Sequence, residues 1–208
     1  MSNLFDFDKD YGVVIGTDEA GRGPAAGGVF AAAVYFPEVT DALITDLSRL
    51  NDSKKLSEVA REKLYDVIIK NTINSVVCIE VDEIERINIL NSSLKAMKLS
   101  CESVIKEAGL KDLITLVDGN KLIKEYSYPQ KYIIKGDGKS ASIAAASILA
   151  KVYRDNLMIE YAKEFPEYGF EKHKGYGTKI HIEKIKEIGP CRLHRKTFIK
   201  NFWVEQEK

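Results

Sequence analysis

Gly16-Thr17-Asp18-Glu19-Ala20-Gly21-Arg22-Gly23-Pro24 follows directly on an apolar run, Tyr11 to Ile15. That run reads as a buried strand. Two adjacent carboxylates therefore stand where a strand ends, beside glycines that let another backbone approach closely. Uncompensated charge is costly at the edge of a core, so a cation belongs there, and a divalent metal is the simplest choice. Gly16 and Gly21 have the separation of a Walker A loop, but Arg22 stands in place of its lysine and Gly23 in place of its hydroxyl residue. Asp18 and Glu19 would also repel a bare triphosphate. A dinucleotide fingerprint fails because its three-glycine spacing is absent. The remaining alternative for this segment alone is a turn whose acids face water.

Working outward, the neighbouring segments alternate between strand and helix patterns. Tyr11–Thr17 and Gly27–Phe36 read as two strands joined by the glycine-rich turn, and Pro37 ends the second. Ser57 caps a helix carrying Val59, Leu64, Val67 and Ile68 on one face. Ser75–Val81 is a third strand. A helix from Leu90 to Ala108 stops at Gly109. Leu113–Val117 and Tyr132–Lys135 are the fourth and fifth strands, and Ser142 to Tyr161 is an alanine-rich helix suited to close packing on a sheet. Beyond Pro166 lies a polar, basic segment with a helix over Lys179–Ile188. An initial hairpin followed by alternating elements predicts an α/β fold with a mixed sheet. The expected division is a catalytic domain over 1–165 and a small C-terminal helical appendage over 166–208.

The chain has 208 residues, 45% hydrophobic and 30% charged, with zero formal net charge. That composition suits a soluble globular protein and argues against a generic polycation. Charge is unevenly placed: residues 1–50 hold eight acids against Lys9, Arg22 and Arg49, while residues 171–200 hold nine cations against three acids. Such asymmetry fits a basic surface for a polyanion and an acidic centre elsewhere. The three cysteines, Cys78, Cys101 and Cys191, are scattered without a CxxC pair, which predicts reduced thiols and a cytoplasmic location. Cys78 and Cys101 read as inert core residues, and His173 and His181 as core or surface histidines. No signal peptide is visible, and Ala25 to Phe36 is too short and glycine-rich to cross a membrane.

Three apolar segments end alike, at Asp18, at Asp118 and at Asp137. Open α/β sheets bind ligands at the carboxyl ends of their strands, so Asp18, Glu19, Asp118 and Asp137 are expected to converge. Four carboxylates without histidine or thiolate partners favour magnesium or manganese over zinc. Two such ions about 4 Å apart can activate water and stabilise a leaving oxygen in phosphodiester hydrolysis.

The set Gly16–Pro24, Asp52-Ser-Lys-Lys-Leu56, Val117-Asp-Gly119, Lys135-Gly-Asp137, Ala144–Val152 followed by Arg154-Asp155, and His173-Lys-Gly-Tyr-Gly-Thr178 closely resembles the ribonuclease HII family, in order and over nearly the whole chain. The resemblance implies a ribonuclease H-like fold, a mixed five-stranded sheet flanked by helices. It implies metal-dependent endonucleolysis of RNA in RNA–DNA hybrids, with two Mg2+ or Mn2+ ions. Cleavage is expected 5′ of a ribonucleotide at RNA–DNA junctions and at single embedded ribonucleotides, leaving a 3′-hydroxyl and a 5′-phosphate. Asp18, Glu19, Asp118 and Asp137 match the family's metal-binding catalytic acids. Gly21, Arg22 and Gly23 match the loop that reads the ribose 2′-hydroxyl through backbone groups, and Tyr176 the tyrosine packed on the sugar beyond the junction. Ser53, Lys54, Lys55, Lys151, His194, Arg195 and Lys196 look like phosphate contacts. Cys191 and Arg192 depart from the residues expected in their loop. The related ribonuclease HIII fits less well, since no additional domain precedes Tyr11 and Glu19-Ala-Gly-Arg-Gly matches ribonuclease HII. A non-catalytic binding module would have lost one of the acids, and all four are present. The expected state is a monomer acting on ribonucleotide-containing duplexes, in repair or primer removal, away from membranes.

Overall fold

The computed structural model describes residues 4–50 and 56–203. Five strands form one sheet: β1 (Val14–Ala20), β2 (Val29–Tyr35), β3 (Ile73–Ile79), β4 (Ile114–Asp118) and β5 (Gln130–Ile133), in the order β3-β2-β1-β4-β5. The β1–β2–β3 meander is antiparallel, whereas β4 and β5 join parallel to β1, so the sheet is mixed as expected. The sequence pattern ended the first strand at Thr17, but β1 runs three residues further because β2 continues the ladder to Ala20↔Phe30. Asp18 and Glu19 therefore sit on a paired strand rather than in a loose turn.

Nine α-helices surround the sheet among the described residues: α1 (Leu4–Lys9), α2 (Asp41–Asp46), α3 (Glu58–Asn71), α4 (Val81–Ile87), α5 (Ile89–Ala108), α6 (Ala141–Glu164), α7 (Phe170–His173), α8 (Lys179–Ile188) and α9 (Lys196–Ile199). Ser57 caps α3 by accepting from the Ala60 amide, and Gly109 ends α5 in the left-handed conformation, as their residue types dictate. The short helices α1, α2 and α4 were not legible, being six or seven residues long.

Strand alternation divides the core into two layers. On one face Ala32 and Val34 pack with Ala144, Ala145, Ile148 and Leu149 of α6 and with Leu64 and Ile68 of α3. On the other, Ile15, Ala31, Ala33 and Val117 pack against Met97, Cys101 and Val104 of α5. Helix α6 lies so close to β1 that a Cβ on Gly16 would come within 2.2 Å of the Ser142 carbonyl carbon. The alanine-rich sequence of α6 permits that approach. Asp8 of α1 fixes its start, accepting from the Ser142 amide at 2.9 Å and its hydroxyl at 2.8 Å.

Residues beyond Pro166 pack a third apolar cluster, with Tyr168, Phe170, Ile185, Leu193 and Ile199 against Ala25, Ala26 and Met158. Backbone bonds tie this segment to the glycine-rich turn after β1: the Gly175 carbonyl accepts from the Ala25 and Ala26 amides, and Leu193 accepts from Gly27.

Candidate active site

Parallel register decides which acids meet. Thr17 pairs with Val117 across β1 and β4, so Asp18 and Asp118, one residue further on each strand, stand on neighbouring strands about 4.8 Å apart in backbone. Glu19 follows Asp18. Asp137 lies in the 3-10 turn Gly136–Gly138, where Lys135 adopts a left-handed φ of 54° and breaks β5. That break places β5 two residues earlier than its apolar pattern suggested. The turn is docked on the site, for the Gly136 amide donates to Asp118 Oδ1 at 2.7 Å. Asp137 in turn acts on Asp118 electrostatically.

Asp18 is buried. Burial, with Glu19 and then Asp118 beside it, holds its carboxyl well above the usual range; the Ser147 hydroxyl and the Glu19 amide, 2.7 Å from Oδ1, counter this only in part. Burial raises Glu19 as well, although Arg22 donates to its Oε1 at 3.1 Å. Asp118 is raised by burial against the pull of the Gly136 amide. These are carboxylates short of positive charge.

A cleft of about 400 Å³ opens over them, lined by Asp18, Glu19, Ala20, Gly21, Arg61, Asp118, Ser147, Ile148, Lys151, Arg154 and Tyr176. Tyr176 is 46% exposed and faces Gly23, on which a Cβ would stand 3.7 Å from its ring. Lys151 pairs with Asp155 at 2.7 Å. Arg61, Ser147 and Arg154 were not picked out as site residues. Arg61 carries no motif signal, whereas Ser147 and Arg154 stand inside the Ala144–Val152 and Arg154-Asp155 motif.

Two expected phosphate contacts are not surface groups. His194 is buried, its Nε2 3.0 Å from His181 Nε2 and its Nδ1 accepting from the Cys191 amide. Arg195 is wholly buried, and its guanidinium donates to backbone carbonyls of the turn after β1. Both lie in the segment that bridges to Ala26 and packs on the turn after β1. All three histidines share that interior, with His173 stacked on His181 at 4.3 Å between ring centres. Ser53, Lys54 and Lys55 lie outside the described residues.

The fit to a divalent ion is chemical. Asp18, Glu19 and Asp118 present hard oxygens to the cleft, mutually repelling and lifted toward protonation, which is what an ion of charge two would relieve. As they stand, no three His, Cys, Asp or Glu side chains among the described residues converge tightly enough to hold one. Asp18 and Asp118 each accept from an amide through Oδ1, and Glu19 accepts from Arg22 through Oε1, which leaves each carboxylate further lone pairs for a cation.

The ribonuclease HII family model matches residues 15–205. The chain belongs to the ribonuclease HII family. A ribonuclease HII from Fusobacterium nucleatum is 50% identical over 206 residues, covering 99% of this chain and 94% of that one. Another from Caldicellulosiruptor saccharolyticus is 47% identical, covering 96% and 95%. Among solved structures, the ribonuclease HII of an Archaeoglobus fulgidus complex with PCNA superposes with a TM-score of 0.72 at 25% identity, covering 94% of this chain and 98% of that one. A ribonuclease HIII in complex with Mn2+ gives 0.70 at 16% identity, covering 90% and 68%, which bears on the fold alone. The fold is thus ribonuclease H-like, and the protein is a metal-dependent ribonuclease H hydrolase. Among the described residues no helix is long and apolar enough to cross a membrane.

Proposed function

We propose that this enzyme cuts duplex DNA on the 5′ side of a ribonucleotide, at RNA–DNA junctions and at single embedded ribonucleotides, leaving a 3′-hydroxyl and a 5′-phosphate. The observation that carries the reading is the placement of Asp18 and Asp118 on adjacent parallel strands, under a cleft shared with Gly21 and Tyr176. Asp18, Glu19, Asp118 and Asp137 would hold two Mg2+ or Mn2+ ions. When bound, the ions supply charge to activate a water and to stabilise the leaving 3′ oxygen.

The chain's own groups do the rest. Gly21, Arg22 and Gly23 offer backbone donors to the 2′-hydroxyl, the group that separates RNA from DNA. Tyr176 lies against the following sugar and disfavours a second hydroxyl there. Lys151 and Arg61 attract the phosphate backbone, joined by Ser53, Lys54 and Lys55. Residues 166–208 form the substrate-binding appendage to a catalytic domain over 1–165. The enzyme works as a cytoplasmic monomer, in ribonucleotide repair or primer removal.

The test is a labelled duplex with one embedded ribonucleotide, incubated with Mn2+ or with excess chelator and mapped to the nucleotide. Cleavage on the 5′ side of the ribonucleotide, lost in chelator, is expected. Cutting on its 3′ side, or undiminished cutting in chelator, would falsify the reading.

A further inference from the structure

Arg195 is 0% exposed and has no carboxylate among its hydrogen-bond partners. Its guanidinium reaches four carbonyls of one turn: Nη2 donates to Gly21 at 2.7 Å, to Gly27 at 2.6 Å and to Gly28 at 3.0 Å, and Nη1 donates to Arg22 at 3.3 Å. Its own amide donates to the Ala25 carbonyl at 2.8 Å. Burying a charge carries a desolvation cost that neutral carbonyls offset less than a bonded carboxylate would, and apolar side chains of similar volume commonly serve packing as well or better. What an apolar group cannot do is orient peptide planes, which a rigid five-donor fork does.

The orientation has a consequence in the turn. In a trans peptide the N–H points opposite to the C=O of the same plane. The Gly21 carbonyl shares its plane with the Arg22 amide, and the Arg22 carbonyl with the Gly23 amide. Drawing both carbonyls inward turns both amides away from the guanidinium. Gly21 accommodates this at a φ of +99°, and Gly23 lies beside the Tyr176 ring. Behind Gly21, the buried Arg154 blocks any side chain: a Cβ there would meet Arg154 Nε at 2.5 Å.

We propose that Arg195 is the positioning residue for ribose discrimination, fixing the Arg22 and Gly23 amides as donors to the 2′-hydroxyl without itself touching substrate. This rests on the reading of the loop given under Proposed function. The experiment compares wild type with Arg195→Lys and Arg195→Met, first for folding by thermal melting. Single-turnover cleavage in Mn2+ then uses a duplex with one ribonucleotide and a twin carrying 2′-fluoro at that position. For Arg195→Lys, duplex affinity stays near wild type while the ribonucleotide rate falls on the order of 10²-fold, the scale expected of a misplaced binding group. The 2′-fluoro rate changes far less, so the ratio of the two collapses, and Arg195→Met behaves alike or worse. An unchanged ratio, whether both rates fall together or neither falls, overturns the proposal. If both variants fail to fold, amide exchange of the wild type decides: Arg22 and Gly23 must gain protection on binding the ribonucleotide duplex, and no gain overturns it. Wild type that ignores the embedded ribonucleotide would instead remove the underlying functional reading.

Discussion

Replacing Asp18 by asparagine should stabilise the metal-free protein while destroying its activity. Asp18 is buried, and its ionised form is opposed by desolvation, then by Glu19 and Asp118. Asparagine keeps an oxygen for the Glu19 amide at 2.7 Å and removes the charge. Relieving a strained functional site of this kind yields about 0.5–2 kcal/mol. In a chain of this size 1 kcal/mol moves Tm by about 2–4 °C. The sign follows from linkage: with the folded pKa raised above the ordinary 3.8, the protonated form's stability is lost as pH rises through the folded pKa. Asp18→Asn should therefore exceed wild type in Tm at pH 8 in chelator, and the gap should close toward pH 4. Saturating Mn2+ reverses the order, because a ligand at 100 times its Kd adds about 2.7 kcal/mol to wild type alone. Calorimetry across pH, with and without Mn2+, measures all three comparisons. A variant less stable than wild type at pH 8, or a gap independent of pH, would refute the electrostatic account.

Gly21→Ala imposes a left-handed φ of +99° and a contact of 2.9 Å with the Gly28 carbonyl, so a loss of about 1–2 kcal/mol from the backbone alone is expected, with a larger loss of ribonucleotide cleavage. Thermal melts and cleavage rates together check it; wild-type rates would contradict the loop's role. Tyr176→Ala should weaken preference for deoxyribose beyond the junction while leaving Mn2+ titration unchanged, read by comparing cut sites in junction and all-RNA hybrids. Burial holds His181 and His194 down at about 4, from 6.5. A depressed folded pKa means stability present above 6.5 and lost as pH falls toward 4, so acid unfolding should centre in that window. Urea melts of wild type and His181→Phe test this, the variant showing a shallower decline.

The local order of the chain was readable because it depends on near neighbours. Ser57 and Gly109 mark helix ends through their own backbone chemistry, and the apolar runs before Asp18, Asp118 and Asp137 declare buried strands. The five strands and the large helices followed from periodicity, and the acidic candidates from where those runs stop. Tertiary structure alone decided the rest, since it depends on groups far apart in sequence meeting. Register across β1 and β4 made neighbours of Asp18 and Asp118, and β2 carried the first strand past its expected end. A basic residue near the C-terminus looks the same in sequence whether it faces a phosphate or a ring of carbonyls. Only the folding of the C-terminal segment onto the turn after β1 buries Arg195 and brings its guanidinium to the Gly21 carbonyl, 174 residues away in sequence, where carbonyl oxygens replace water as its acceptors.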